Sequence, residues 1–251
     1  MRGRRTATLK RRTAGGRPPR RTVPPNRLLA ALPVEECDRL LPSLRTIPLR
    51  YKQVLQRRAE PVSFVYFPGS GVTSITTIMG DGRTVEMATV GNEGLIGVWA
   101  ALGGRVPAGD AIVQVAGKSA QMLPVEVFRR ELERRAALYD IVTRYLQAFL
   151  LLTMHSTACN GLHTVEQRCC RWLLMAHDRI GRDDFRLTQE ALAVMLGVRR
   201  PSVTGVAQAL REAGLIEYRQ GHVRIVDRKR LEAASCECYR IVRNHFQRLL
   251  Q

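Results

Sequence analysis

The stretch that most constrains this chain is residues 187–226, LTQEALAVMLGVRRPSVTGVAQALREAGLIEYRQGHVRIV. Thr188 is a helix N-cap, and Glu190 follows in the first turn, where the helix dipole favours an acid. Leu192 and Leu196 share one face, and Ala193 is small where a second helix must come close. Gly197 suits the left-handed residue that ends a helix, and Val198 fills the gap behind it. A second helix begins near Arg199 or Arg200. Pro201 is acceptable there because first-turn N–H groups have no helical partner. Val203, Val206, Ala207 and Leu210 turn inward. Two short β segments, 216–218 and 223–226, then flank Gln220-Gly221 as a hairpin. Caps, turn glycine, apolar spacing and hairpin agree on a winged helix-turn-helix.

In that motif the outer N-terminal part of the second helix meets base edges in the major groove of DNA. Here it carries Arg199, Arg200, Ser202, Thr204 and Gly205. Arg reads guanine through two hydrogen bonds, and Ser or Thr reaches bases or phosphate. Thr188 and Gln189 open the first helix beside the DNA, and Arg219, His222 and Arg224 decorate the wing for phosphate contact. Charge points the same way. The 251 residues hold 40 Lys and Arg against 22 Asp and Glu, a net charge of +18. Nine of those cations lie in residues 1–22, which contain no acid, so half of the excess sits in one tail. The remainder is still basic, which favours double-stranded DNA as partner. The tail is Arg, Gly, Pro and Thr with almost nothing apolar, a composition that cannot offset its ordering entropy.

The rest of the chain reads in order. Asn26 caps RLLAAL, Pro33 stops it, and residues 35–41 repeat apolar positions at helical spacing. From Ile47 to Pro124 short β segments take over, clearest at 64–67, 72–79, 84–89, 111–115 and 120–123, with Gly80-Asp81-Gly82 as a hairpin turn. This spacing predicts a sandwich or jelly roll. Residues 125–160 read as one long helix broken at Gly161. Leu138, Ile141, Val142, Tyr145, Phe149, Leu152 and Thr153 form an apolar stripe on it. A stripe on a helix between two domains needs a partner surface, and a second copy of the chain is expected to supply it. A further helix spans 162–180, Asp227 caps another, and 235–250 is helical. The fold class is α+β, with a basic tail at 1–25, a β-roll sensor at 26–125, a dimerisation helix at 126–161 and a winged helix-turn-helix domain at 162–251.

No secretory segment and no apolar run of membrane-spanning length is present, so a cytoplasmic setting is expected. The six cysteines (Cys37, Cys159, Cys169, Cys170, Cys236, Cys238) then read as reduced thiols. Cys159 and His163 are spaced i, i+4, and Cys236 and Cys238 are a close pair. Neither pair comes with four ligands at a zinc spacing, so packing roles and no metal are expected. No nucleophile motif such as G-x-S-x-G is present, and no enzyme is expected.

LTQEALAVMLGVRRPSV, the continuation REAGLIEY…GHVRIVDRKRLE, and the openings NRLLAALP and VYFPGSGVTS resemble the cyclic-AMP receptor protein and fumarate–nitrate regulator (Crp/Fnr) family of bacterial transcription factors. The resemblance covers residues 26–240. It implies a homodimer on a near-palindromic operator, with RNA polymerase as a further partner. Two departures stand out. The family's recognition helix commonly reads Arg-Glu-Thr/Ser-Val-Ser/Gly-Arg. Arg200, Ser202 and Val203 match, but Pro201 replaces the Glu and Gly205 the second Arg. Arg200 is therefore the expected base reader, with Arg199 and Thr204 assisting. The family's cyclic-nucleotide pocket needs a Gly-Glu pair for the ribose and an Arg-Ser/Thr pair for the phosphate. Gly91 and Glu93 stand in altered spacing, Asp110 falls where the Arg-Ser/Thr pair belongs, and Arg105 is out of register. An Asp facing a cyclic phosphate repels it, so no cyclic-nucleotide cofactor is expected. With only Cys37 near the N-terminus, an iron–sulfur cluster is not expected either. The competing reading is a small-molecule-sensing or protein-interaction module without specific DNA binding, because Pro201 and Gly205 remove two base-reading side chains.

Overall fold

A computed structural model describes residues 24–249. The basic tail read over 1–25 therefore lies outside the described residues except for its last two. Two short helices open the fold, α1 (Arg27–Ala30) and α2 (Val34–Leu40). Asn26 does cap α1, accepting from the Leu28 and Leu29 amides. Its amide group also donates to the carbonyls of Pro68 (2.9 Å) and Gly94 (2.8 Å). This fully buried side chain thus ties the N-terminal helix to two loops of the β domain.

Seven strands follow: β1 (Arg45–Leu49), β2 (Val54–Gln56), β3 (Phe64–Pro68), β4 (Val72–Ile78), β5 (Thr84–Val90), β6 (Asp110–Val115) and β7 (Gly117–Pro124), with a short helix α3 (Val98–Ala101) between β5 and β6. They form two antiparallel sheets, ordered β1-β7-β3 and β2-β6-β4-β5. Val65, Phe67 and Leu123 of the first sheet meet Val72, Ala88 and Val115 of the second in one core. The chain passes between sheets at the β6–β7 junction, where Gly117 lies so close to the Ser70 carbonyl that a Cβ has no room. The short β1 and β2 are additions to the strands the sequence singled out, and β1 starts two residues before the expected strand region.

The expected helix over 125–160 is two helices, α4 (Val125–Glu133) and α5 (Ala137–Leu162). Arg135, at φ 49°, turns the chain between them, and α5 runs through Gly161, which therefore does not break it. The apolar stripe on α5 also has a different partner from the one expected. Leu138, Ile141, Val142, Tyr145 and Leu152 are buried within the same chain. Tyr145 donates its hydroxyl to the Leu95 carbonyl (3.1 Å) and packs its ring against Phe149 and Phe246. That stripe is filled by the β domain on one side and by the C-terminal helix on the other. The exposed apolar residues of α5 are instead Leu150, Met154 and Leu162, of which Leu150 also borders the gap between α5 and the β domain.

Helix α6 (Val165–Ile180) is capped by Thr164 and Gln167 in a reciprocal capping box. It is buried all round from 168 to 176. After it come β8 (Asp184–Arg186), α7 (Gln189–Leu196), α8 (Arg200–Glu212), β9 (Ile216–Arg219), β10 (His222–Ile225), α9 (Arg228–Ala234) and α10 (Glu237–Leu249). β8, β10 and β9 make a three-stranded antiparallel wing. One continuous core runs from Leu28 through the β domain and α5 to Val203 and Leu210 of α8, so β domain and head are packed as one body. No helix among the described residues is long and apolar enough to cross a membrane.

Candidate nucleic-acid interface

The head is built by local rules. Thr188 caps α7, its hydroxyl accepting from the Ala191 amide (3.2 Å). Gly197 ends α7 at φ 63°. Leu192, Ala193, Met195 and Leu196 of α7 are buried, as are Val203, Ala207 and Leu210 of α8. This leaves Arg199, Arg200, Ser202, Thr204 and Gly205 exposed together along the N-terminal half of α8. Thr204 donates its hydroxyl toward Gln189 Oε1 (2.9 Å) and the Arg200 carbonyl (3.2 Å), so the two helices are tied at the same surface. Arg200 Nη1 sits 2.9 Å from Glu190 Oε1, both groups open to solvent. Such an exposed pair is worth little and is easily exchanged for a phosphate or a base edge. A Cβ at Gly205 would meet nothing within 4 Å, so that position presents bare backbone to a ligand.

The wing turn uses Gln220 and Gly221, both at positive φ, the geometry of a two-residue hairpin turn. Arg219, His222 and Arg224 are exposed around it. His222 lies 3.8 Å from Asp184 and Arg224 3.7 Å from Glu217, loose pairs that leave both side chains free to take another partner. Tyr218 donates to the Leu187 carbonyl (2.7 Å) and anchors the wing to the start of α7. The sequence-selected residues of α7, α8 and the wing thus occupy the exposed surface of one small head.

Of the four positions set against the family's effector pocket, Gly91 and Glu93 are brought together, the Gly91 amide donating to Glu93 (3.2 Å), while Asp110 and Arg105 have partners elsewhere. Glu93 is buried and accepts from Arg179 of α6 through Nη2 (2.7 Å) and Nε (3.0 Å). Arg179 also donates to Thr89 Oγ1 (2.5 Å). A Cβ at Gly91 would collide with the Arg179 stem, so this glycine makes room for the arginine. Asp110 accepts from the Arg58 amide (2.6 Å), and Arg105 is exposed on a loop whose carbonyl receives the Val62 amide. The cavity between the β domain and α5, about 530 Å³, is lined instead by apolar groups such as Ile75, Met87, Leu95, Trp99, Leu146 and Phe149. Gln56, Gln147, Thr143 and Thr153 are its polar groups, and no Arg, Lys or His lies among its lining residues.

Contacts between the head and the β domain leave no signal in the sequence pattern. Trp172 of α6 donates its indole N–H to Glu86 of β5 (3.1 Å), and Ser74 of β4 hydrogen-bonds the other Glu86 oxygen. Loss of solvent pushes the Glu86 carboxyl up to about 7, against those hydrogen bonds and the nearby charges of Arg171 and Arg179. α7 packs on β5, and the Arg186 guanidinium stacks over Tyr51 at 5.1 Å. The two sequence pairs Cys159/His163 and Cys236/Cys238, expected to be separate, also converge. Their four ligand atoms lie within 4.8 Å of one another. The i, i+4 spacing at the end of one helix and the Cys-x-Cys at the start of another were visible signals; that the two ends meet was not.

The comparisons agree with this geometry. Residues 167–234 match the Crp-like helix-turn-helix domain family. Among solved structures, the chain is similar to a transcriptional regulator of the Crp/Fnr family from Eubacterium rectale, at 18% identity and a TM-score of 0.63, covering 82% of this chain and 96% of that one. TTHB099, a CRP-family transcriptional regulator from Thermus thermophilus, gives 22% identity and a TM-score of 0.62 over 76% and 96%. CLP of Xanthomonas campestris, described as a c-di-GMP-responsive global regulator, gives 17% identity and 0.59 over 78% and 100%. No curated protein matches the chain in sequence. The two-sheet domain, long helix and winged head repeat the fold of those structures, and the matched residues make the head a Crp-like helix-turn-helix. Residues 167–234 thus belong to the Crp-like helix-turn-helix domain family, and the chain as a whole shares the fold of the Crp/Fnr-type structures.

Proposed function

We propose that the protein is a cytoplasmic, homodimeric, sequence-specific regulator that sets the two α8 helices of the dimer into successive major grooves of a near-palindromic operator. Half-site centres are then about one helical turn, ~34 Å, apart. The observation that carries this is the exposed cluster Arg199, Arg200, Ser202 and Thr204 at the start of α8, on a head whose inner face is packed into the core. Residues 26–125 act as the sensor, 126–161 as the dimerisation segment and 162–251 as the DNA-binding domain, with RNA polymerase as a further partner on the promoter. Arg200 is the base reader. Arg199, Thr204, Gln189 and Thr188 support it, and Arg219, His222 and Arg224 meet phosphates. The exposed apolar face of α5, with Leu150 and Met154, favours pairing with a second copy.

The sensor reads something other than a cyclic nucleotide. The cavity's lining offers no cation for a cyclic phosphate, and the ribose-type carboxylate, Glu93, is already held by Arg179. An uncharged, largely apolar effector suits such a lining.

Mobility-shift titration against promoter-length DNA across salt concentrations tests the DNA reading. Affinity falls steeply with salt, and Arg200→Ala binds operator and random DNA alike. Undiminished discrimination removes Arg200 as reader, and salt-independent or absent binding favours the interaction-module reading. Calorimetry with cyclic AMP gives no micromolar binding; a micromolar isotherm overturns the sensor reading.

A further inference from the structure

We propose that Cys159, His163, Cys236 and Cys238 form a tetrahedral binding site for a divalent zinc-type ion that fastens the hinge between α5 and the DNA-binding head to the start of α10. Cys159 lies one turn before the end of α5, and His163 is the C-cap residue of that helix. Cys236 and Cys238 flank Glu237, the first residue of α10. Cys159 and Cys236 are 77 positions apart in sequence and His163 and Cys238 are 75 apart, so only the tertiary fold unites the two pairs.

The geometry is that of a single ion. The Cys159 and Cys236 sulfurs are 3.5 Å apart, and Cys238 Sγ is 3.8 Å from His163 Nδ1. With metal–sulfur bonds of about 2.3 Å and metal–nitrogen bonds of about 2.0–2.1 Å, the edges of a tetrahedron are about 3.5–3.8 Å. All four ligand atoms fall within 4.8 Å of one another, too compact for a multi-iron cluster to sit among them. Three thiolates and an imidazole, with no open position, make a structural site rather than a catalytic one.

Three further features suit an ion and not simple packing. The cluster is a buried island whose members are Cys159, Cys236 and Cys238, set apart from the aliphatic core. Packing alone does not call for three thiols converging on one imidazole. The other ring nitrogen of His163, Nε2, is 3.2 Å from Glu237 Oε2. A carboxylate on the far side of a ligating histidine orients the ring and turns Nδ1 toward the metal. Charge also balances. Three thiolates on a dication leave one negative charge, and the buried Arg171 acts electrostatically on all three sulfurs. The Nε of Arg171 has no hydrogen-bond partner, so the anionic centre gives this cation a counter-charge. The segment closed by the ion contains α6 to α9, the whole reading head. Cross-linking its two ends restrains both the unfolded chain and the direction in which the head leaves α5.

The test uses the untagged full chain under reducing conditions. Elemental analysis of protein grown with zinc gives one ion per chain. After chelation, Co²⁺ gives intense visible bands of tetrahedral cobalt and near-ultraviolet thiolate charge transfer, and chelation lowers Tm. Cys159→Ser and Cys236→Ser each weaken Co²⁺ binding by roughly 100-fold or more. His163→Cys, which keeps four donors, retains the tetrahedral spectrum, and Cys37→Ser, on the distant α2, leaves binding unchanged. The wild-type spectrum and Tm decide the matter even where a variant fails to fold. Pale octahedral cobalt without charge transfer, a Tm indifferent to chelator, or Cys37→Ser weakening binding as much as Cys159→Ser overturns the proposal.

Discussion

The Arg179–Glu93 pair shows how one residue can decide between two roles for a pocket. Glu93 stands where the Crp/Fnr resemblance implies a ribose contact, yet its carboxylate is spent on a buried guanidinium arriving from α6. Both side chains are more than nine-tenths buried. At that depth the pair's net contribution is modest, but removing one partner leaves an uncompensated charge. Arg179→Leu is therefore expected to cost about 3–5 kcal/mol in urea unfolding. Arg179→Leu combined with Glu93→Leu recovers much of that loss, because no lone charge remains. A double variant as unstable as the single one would mean that the packing of the arginine stem, and not its charge, matters at this position. The sequence displayed both residues, but their separation of 86 positions gave no hint of the pairing. Gly91 carried the missing signal: a glycine beside Glu93 leaves the space the arginine stem fills.

At the scale of elements, legibility follows the range of the forces involved. α7, α8 and the wing were readable because caps, a left-handed glycine and helical spacing act within a few residues. The strands β3 to β7 were readable from alternation and turns, whereas β1 and β2, each five residues or fewer, carry weak patterns. The long helix departs from its sequence pattern in two ways: Arg135 at positive φ divides it, and its apolar stripe has another cover. Periodicity shows that a face is apolar but not what covers it, and the Leu138-to-Leu152 stripe is covered by the chain's own β domain and α10. The dimer surface proposed above lies instead around Leu150, 60% exposed, and Met154, 63% exposed. These two are spaced i, i+4 and form a narrow apolar seam of the kind paired helices bury. Leu150→Glu places a charge on that seam, and sedimentation is expected to shift from dimer to monomer at micromolar concentrations. Helicity is unchanged, since the side chain faces solvent in the single chain. Operator affinity falls at least tenfold because each half-site then binds alone. A variant that remains dimeric moves the interface off this face of α5.

For the whole molecule, the feature with most consequence is that sensor and head share one core while the reading surface stays open. The head rests on β4 and β5 through α6 and α7, and Glu86 is the titratable group at the centre of that contact, bonded to Ser74 and Trp172. Its carboxyl is pushed up to about 7 by loss of solvent. Below its ordinary value of 4.5 the group is protonated whether the chain is folded or not, so no penalty attaches to burying it. As pH rises from 4.5 toward 7, the unfolded chain has released the proton while the folded one still holds it, and stability falls. Above about 7 the loss is complete, and burying an ionised carboxylate costs on the order of 3 kcal/mol. Much of that cost falls on the docked arrangement, because undocking the head returns Glu86 to water. Raising pH from 5.5 to 8 is therefore expected to lower the urea midpoint and to raise hydrogen exchange in β5 and α6. Glu86→Gln keeps an acceptor for the indole N–H, carries no charge, and flattens both responses. If the variant loses stability over that range as steeply as the wild type, the titration belongs to another group, and the head is not held to the sensor through a neutral Glu86.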